Sequence, residues 1–528
     1  MAVRFFLLNS VFALLFVLLG YNLYNVQVLD GAEYFERAEA RAAAREELSL
    51  RRGRIFITNR SDADIPVALN RNEPVVYAVP KEIQDAKEAA AFVAPLLNVS
   101  ATSLEEIFSN KKSLFKLLTE KASPELIAAL HDAPLGIYVA EKQYRFYPDE
   151  RLASNLLGFV GVNATANKPK GLYGVEKYFD AGLAEGDDIH LSIDRDVQVE
   201  AETVLTRLIK DYGATGGTVI VMDPKTGKIL TLASKPDFDP NNYRTSPIAN
   251  FMNPAFAYVY EPGSVMKAVT MASAIDAGAV TPATTYTDYG YVTRNSRTIH
   301  NFEPKPYGKV TMMNAIERSI NTGSVFAAEQ LGREKFLEYM QRFGFGSQTG
   351  IGVPDEVAGS LKNLTKSDSK AIDLATASFG QGTAVTPLQM VSAFATLANG
   401  GVRMTPSFLA DELPEEAGRA VSEETAEKVL AMIESAVNVN RVAVIPNYRV
   451  GGKTGTALIP EAGGYSDELI HTFVGVAPIS DPRFVVLVKL DRPQVGELAG
   501  LTVVPATRDL LEFLLTHYRV PPDNISTL

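Results

Sequence analysis

Residues Tyr260-Glu-Pro-Gly-Ser-Val-Met-Lys-Ala-Val-Thr270 set a serine, Ser264, and a lysine, Lys267, three positions apart directly after Pro262-Gly263. Read as the start of a helix, positions i and i+3 share a face, so the lysine amine is expected to reach the serine hydroxyl. A hydroxyl is a weak nucleophile near neutral pH, and a partly neutral amine beside it can take its proton. Burial and a second nearby cation would both lower the lysine pKa toward that task. The Pro-Gly pair suits a sharp turn into the helix, whose first backbone N–H groups would then face the reacting atoms.

The spacing alone is a weak signal, because S-x-x-K begins at Ser109, Ser113, Ser264 and Ser367. Only Ser264 lies in an apolar, helix-compatible run; the other three are followed by lysine-rich or acidic surface text. Two further elements follow in order. Ser319-Ile-Asn321 is the only S-x-N in the chain, and Lys453-Thr-Gly455 comes later with Thr456 behind it. A second K-T-G, Lys225-Thr-Gly227, falls in a Pro/Gly turn, where lysine and glycine are ordinary residues. The later copy stands in Tyr448-Arg-Val-Gly-Gly-Lys-Thr-Gly-Thr-Ala457. Glycines weaken such a β run unless a backbone or ligand approaches closely, as a substrate-binding edge strand requires.

Outward from these motifs, a helix is expected over Asp194–Tyr212, then a hairpin from Gly217-Thr-Val-Ile-Val-Met and Lys228-Ile-Leu-Thr-Leu-Ala around a Pro/Gly turn. About 200 mainly helical residues separate it from a second β set at Tyr448–Ala457, His471–Ala477 and Phe484–Leu490. A last helix is expected over Ala506–His517. Strands at both ends with helices between predict one antiparallel sheet, completed by distant segments and covered by helices. Residues 31–50 read as a helix, Ile55–Val79 as short β runs and 81–131 as helical, with Leu104, Ile107, Phe108, Leu114 and Leu117-Leu118 apolar. Strand is expected again at Gly136–Ala140 and around Tyr144–Tyr147. Residues 31–190 thus form one mixed α/β extension with no repeat.

At the N-terminus, Phe5–Leu29 carries no charge, and 25 helical residues would exceed the ~30 Å hydrocarbon layer. A cleaved signal peptide would need a small-x-small site, but Gly20 is followed by Tyr-Asn-Leu-Tyr-Asn-Val-Gln-Val-Leu. A single uncleaved anchor is expected, with Tyr21 and Tyr24 at its outer interface. Arg4 precedes it and Asp30, Glu33 and Glu36 follow, which favours a cytoplasmic N-terminus and an extracytoplasmic bulk.

Composition narrows the chemistry. The 528 residues carry 51 Lys+Arg against 62 Asp+Glu, a net charge of −11, which argues against a nucleic-acid binder. With 46% hydrophobic residues the chain can bury substantial cores. There is no cysteine, which removes disulfides, cysteine-ligated zinc, iron–sulfur clusters and thiol nucleophiles together. The five histidines, His131, His190, His300, His471 and His517, show no paired metal-ligand spacing, so no metal or cofactor is expected.

In this order, S-x-x-K, S-x-N and K-T-G are the set shared by penicillin-binding proteins and serine β-lactamases. The chain resembles a class B penicillin-binding protein, a membrane-anchored peptidoglycan D,D-transpeptidase, over nearly its whole length. Supporting segments are Tyr144-Arg-Phe-Tyr-Pro148, Leu157-Gly-Phe-Val-Gly161, Gly171-Leu-Tyr-Gly-Val-Glu176, Ser378-Phe-Gly-Gln-Gly382 and Val385-Thr-Pro-Leu-Gln389. The family's usual Arg-Gly-x-Ile-x-Asp-Arg pedestal start is altered to Arg52-Gly-Arg-Ile-Phe-Ile-Thr-Asn-Arg60.

The resemblance implies an α/β (α+β) fold: an anchor over 1–30, a pedestal of the dimerisation type over 31–190, and a transpeptidase domain over 191–528. It implies Ser264 as nucleophile, Lys267 as general base, Ser319 as proton relay and Asn321 as a partner of substrate and Lys267. Lys453 would supply positive potential for the substrate carboxylate and depress the Lys267 pKa. Thr454, Gly455 and Thr456 would line the substrate, with the N–H groups of Ser264 and Thr456 as oxyanion hole. Implied partners are peptidoglycan stem peptides, β-lactams as covalent inhibitors and a polytopic membrane glycosyltransferase. A β-lactamase would be far shorter and would lack the anchor, and a D,D-carboxypeptidase typically lacks the pedestal. A class A enzyme would need a glycosyltransferase domain, which residues 31–190 do not resemble. Intact motifs argue against a silent scaffold, and a β-lactam sensor would normally need further spans or a signalling domain. The Glu261-Pro-Gly-Ser and Gly452-Lys-Thr-Gly-Thr-Ala contexts resemble division more than elongation enzymes.

Overall fold

The computed structural model describes residues 2–528 except 33, 36, 37, 40, 41, 43–47, 51, 62, 163–168, 462 and 525–528. Ten of the twenty residues of the helix expected over 31–50 lie outside the described residues; Gly31, Ala32, Tyr34, Phe35, Ala38, Glu39, Ala42 and Leu48 are helical. The chain divides into a smaller compact unit, 1–52 with 69–146, and a larger one, 53–68 with 147–528. The strand Ile65–Ala78 contributes its first four residues to the larger unit and the rest to the smaller.

In the smaller unit, the N-terminal stretch Ala2–Leu29 is the only helix among the described residues long and apolar enough to cross a membrane, and its apolar side chains are exposed. Residues Leu69–Ala78 pair antiparallel with Ile137–Phe146 over ten positions, and Val75 and Val76 are both buried. Helices Ala86–Leu97 and Ala101–Ser109 bury Val93, Leu104 and Phe108 in one core with Val76, Ala78 and Ile137. Helical periodicity does not continue through 131: Lys116–Thr119, with Leu117 and Leu118, is a strand paired with Val76–Ala78, and Leu114 precedes it in a bend. Two adjacent leucines satisfy either period, and the free sheet edge decides between them.

The larger unit is built on the antiparallel sheet expected from the split β sets. Its strands are β1 (Gly216–Met222), β2 (Ile229–Lys235), β3 (Gly451–Glu461), β4 (Gly464–Ala477) and β5 (Phe484–Asp491), in the order β3-β4-β5-β1-β2. Strand β5, some 260 residues later than β1, pairs with it from Val485↔Met222 to Asp491↔Gly216. The hairpin turn closes at Gly227, whose φ of +77° is left-handed and whose N–H donates to Asp223 O at 2.9 Å. The first K-T-G is thus a turn.

Central strands read as unbroken apolar runs because both faces are covered. On β1, Ile220 and Met222 join one core while Val219 and Val221 join the other; on β5, Val485 and Leu487 alternate with Val486 and Val488 in the same way. One face carries α1 (Arg195–Tyr212) and, at the C-terminus, Val503–His517. The other carries α2 (Met266–Asp276), α3 (Asn321–Leu331), α4 (Pro387–Ala398) and α5 (Glu423–Asn440). Asp194 caps α1, accepting from Asp196 N and Val197 N, and Gly213 ends it in the left-handed conformation. Tyr147, Val175 and Leu183 belong to the core that also holds α2, so contacts join residues 147–190 to the larger unit.

Candidate active site

The turn that carries Ser264 is held from three sides. Gly263 adopts φ +57° and opens a single 3₁₀ turn, Gly263–Val265, before α2 begins at Met266. Ser264 is therefore one turn ahead of the regular helix, and Lys267 lies in its first turn. Strand β3, the sheet edge, runs beside it. A Cβ on Gly455 would stand 2.7 Å from Pro262 O and 2.8 Å from Val265 Cγ2, which is the close approach expected of glycine in this run.

The second brace is the segment Ser378–Gly382. Gly263 N donates to Gly380 O at 3.1 Å, and a Cβ on Gly380 would lie 2.2 Å from Gly263 O. The third is Glu261, which is nearly buried. It accepts from Gly382 N at 2.9 Å and from the Tyr465 hydroxyl at 3.0 Å, and burial pushes its carboxyl pKa up. Val385 completes this frame through reciprocal backbone bonds with Tyr260. The segments Ser378–Gly382 and Val385–Gln389 thus brace the turn, and their glycines and Thr-Pro are the signal the sequence offers for that task.

Lys267 is fully buried. Its Nζ donates to Ser319 O at 2.5 Å, Ser319 Oγ at 3.1 Å and Asn321 Oδ1 at 2.7 Å. The direct contact expected with Ser264 is absent: among the described residues no hydrogen bond joins Lys267 Nζ to Ser264 Oγ. The 3₁₀ turn ahead of α2 and three oxygens across the cleft account for this, since the buried amine is already engaged by Ser319 and Asn321. Burial, and then the charge of Lys453, hold the Lys267 pKa well below the ordinary lysine range.

Lys453 Nζ donates to Ser319 Oγ at 3.0 Å and to Thr454 O at 3.1 Å, and burial lowers its pKa to about 7. Ser319 Oγ thus lies between two buried amines. Ser319 itself is held at φ +54°, a left-handed conformation costing about 1–2 kcal/mol outside glycine. Such strain persists where surroundings over-determine it, here between α3 and the preceding turn. Asn321 opens α3 and donates from Nδ2 to His300 O at 2.8 Å, which orients its Oδ1 toward Lys267.

A cavity of about 170 Å³ is lined by Ser264, Ser319, Thr454 and Thr456 together with Tyr307, Arg318 and others. A second, of about 230 Å³, shares Arg318, Ser319, Thr454, Thr456 and Leu498 and continues along Gly452 and Lys453 toward α5. Thr456 Oγ1 accepts from Ala499 N at 3.3 Å, which ties the loop carrying Leu498 to the strand. The fold thus brings together all eight residues singled out in the sequence: Ser264, Lys267, Ser319, Asn321, Lys453, Thr454, Gly455 and Thr456. Asp194, Asp196 and His517 also cluster, but Asp194 is engaged in capping α1 and in bonds to His517 and Tyr518.

Comparison with known proteins agrees with this architecture. Residues 217–512 match the penicillin binding protein transpeptidase domain, and residues 49–200 match the penicillin-binding protein dimerisation domain. The chain belongs to the penicillin-binding protein transpeptidase family, and within it to the class B proteins, in which that dimerisation domain precedes the transpeptidase domain. Among its relatives, Stage V sporulation protein D of Bacillus subtilis is 30% identical, over 96% of this chain and 85% of that protein. Peptidoglycan D,D-transpeptidase FtsI of Escherichia coli K12 is 27% identical, over 95% and 90%. The crystal structure of a peptidoglycan synthetase from Bifidobacterium adolescentis superposes with a TM-score of 0.70 at 25% identity, covering 91% of this chain and 98% of that one.

Proposed function

We propose that this chain cross-links peptidoglycan as a serine D,D-transpeptidase, with residues 1–30 as anchor, 31–190 as pedestal and 191–528 carrying the reaction. The observation that carries the reading is the convergence of two buried amines on Ser319 Oγ beside a cavity lined by Ser264. Ser264 Oγ attacks the carbonyl of the penultimate D-alanine of a stem peptide. Lys267, neutral because it is buried beside Lys453, takes the hydroxyl proton. Ser319 relays a proton to the departing amine, the C–N bond breaks and D-alanine leaves. A second stem-peptide amine then attacks the ester, the Ser264 C–O bond breaks and Oγ regains its proton. The N–H groups of Ser264 and Thr456 hold the developing oxyanion, and Lys453 provides positive potential for the substrate carboxylate.

A β-lactam presents a strained amide to the same serine and forms a stable ester. Labelling membranes that hold the full chain with a fluorescent penicillin tests the reading. The wild type is expected to be labelled and Ser264→Ala to be blank; persisting label on the variant refutes the nucleophile. The apolar stretch Ala2–Leu29 and the charge around it support a single anchor in the cytoplasmic membrane, with the N-terminus inside and catalysis outside. A septal role and a polytopic glycosyltransferase partner complete the proposal, the former resting on the Glu261-Pro-Gly-Ser context and on the likeness to FtsI.

A further inference from the structure

The departing group in this reaction is itself informative. D-alanine leaves as an amine with a carboxylate on the same carbon, and the acceptor amine must enter where that amine left, next to Ser319. The space running on from Ser319, away from Ser264, is the second cavity. Arg318, the residue before Ser319, lines both cavities and is exposed.

Its guanidinium stands 5.3 Å from the centre of the Tyr307 ring and makes no ion pair or side-chain hydrogen bond with any described residue. The neighbouring acids are already engaged. Glu303 pairs with Lys305 and accepts from the Tyr307 hydroxyl, while Glu317 accepts from Ser435 Oγ at 2.6 Å and Asn314 Nδ2 at 2.9 Å. A surface arginine with acids this near is commonly paired with one of them. This one keeps its planar fork of donors free at the mouth of a reaction cleft, and that fork matches a carboxylate. Lys453, by contrast, is buried and bonded to Ser319 and Thr454, so its effect there is potential rather than direct recognition.

Resting on the transpeptidase reading above, we propose that Arg318 reads the carboxylate at the leaving-group position, on the departing D-alanine and on the incoming acceptor alike. The acceptor this site selects is an amine alpha to a free carboxylate, over an amine with no carboxylate on the same carbon or an α-amino carboxamide. Its nitrogen attacks the acyl carbonyl, the bond from that carbon to Ser264 Oγ breaks, and the amine proton returns to Oγ through Lys267 and Ser319.

The test uses the full chain in detergent and a D-alanyl thioester donor whose thiol leaving group carries no carboxylate. Aminolysis by D-alanine and by D-alaninamide is measured per acyl-enzyme formed. Wild type is expected to favour D-alanine by about tenfold, the size of one charge-assisted hydrogen bond. Arg318→Gln is expected to bring that ratio near one, and Arg318→Lys to restore part of it. A wild-type ratio near one, or an unchanged ratio in Arg318→Gln, overturns the assignment to Arg318 while the acyl-enzyme still forms. A wild type that forms no acyl-enzyme with the thioester or with penicillin overturns the transpeptidase reading and the acceptor assignment with it.

Discussion

Replacing Gly455 with alanine adds one carbon where strand β3 meets the turn that carries Ser264. That carbon would lie 2.7 Å from Pro262 O and 2.8 Å from Val265 Cγ2, against about 3.4 Å for an ordinary contact. Strand and turn must therefore part by about 0.7 Å, and one of the atoms in the way is backbone rather than the end of a flexible side chain. Overpacking of this kind costs about 1–3 kcal/mol, a shift of a few degrees in Tm for a unit of this size. Catalysis should suffer more than stability. The displaced turn carries Ser264, and misplacement on the order of 1 Å costs up to about 100-fold in rate. We expect the second-order rate of fluorescent-penicillin labelling to fall between about 10- and 100-fold while thermal unfolding remains cooperative. Gly464→Ala is the control, because a Cβ there meets nothing within 4 Å although it belongs to the same hairpin. Labelling of Gly455→Ala at the wild-type rate would refute the close-approach argument. An equal loss in Gly464→Ala would refute it too, by shifting the cause to strand propensity.

Four further outcomes are expected. Lys453→Met should lose most labelling and also alter the pH dependence of stability. The native lysine loses its proton near pH 7 and the unfolded one near 10.5, so the unfolded chain binds more protons between them and wild-type stability rises with pH through that window. Denaturant titrations should show wild type gaining on the variant by up to about 1.4 kcal/mol per pH unit there; a flat difference contradicts the burial of that amine. Asn321→Ala removes one of three acceptors from Lys267 and leaves His300 O without its donor, so labelling should drop about tenfold or more. A wild-type labelling rate would show that Asn321 does not position the lysine. Ser264→Ala should give no label, and Arg318→Gln should lose acceptor discrimination, as set out above.

Legibility in the sequence followed the range of the interaction. The hairpin around Gly227, the α1 cap at Asp194 and the terminal helix are local, and residue types within a few positions specify them. Strands β1 and β5 were recognisable because continuous apolar runs arise only where both faces are buried. The adjacent pair Leu117-Leu118 was misread as helix, since two leucines satisfy either periodicity and the pairing with Val76–Ala78 decides. The eight site residues were legible as three ordered motifs, yet the expected Ser264–Lys267 contact was not found. That contact depends on a 3₁₀ turn and on oxygens of Ser319 and Asn321, more than 50 positions away.

By itself, then, the sequence determined the chemistry: two serines, two lysines and an asparagine in an order that admits acyl transfer, and an apolar segment able to span a bilayer. The tertiary structure alone decided which groups touch. It set Ser319 at a left-handed φ between two buried amines and pressed Gly455 against the carbonyl of Pro262. It also left Arg318 without an ion-pair partner among the described residues, where two cavities meet. Burial and close approach are properties of chain segments brought together from hundreds of residues apart, and local spacing carries no record of them.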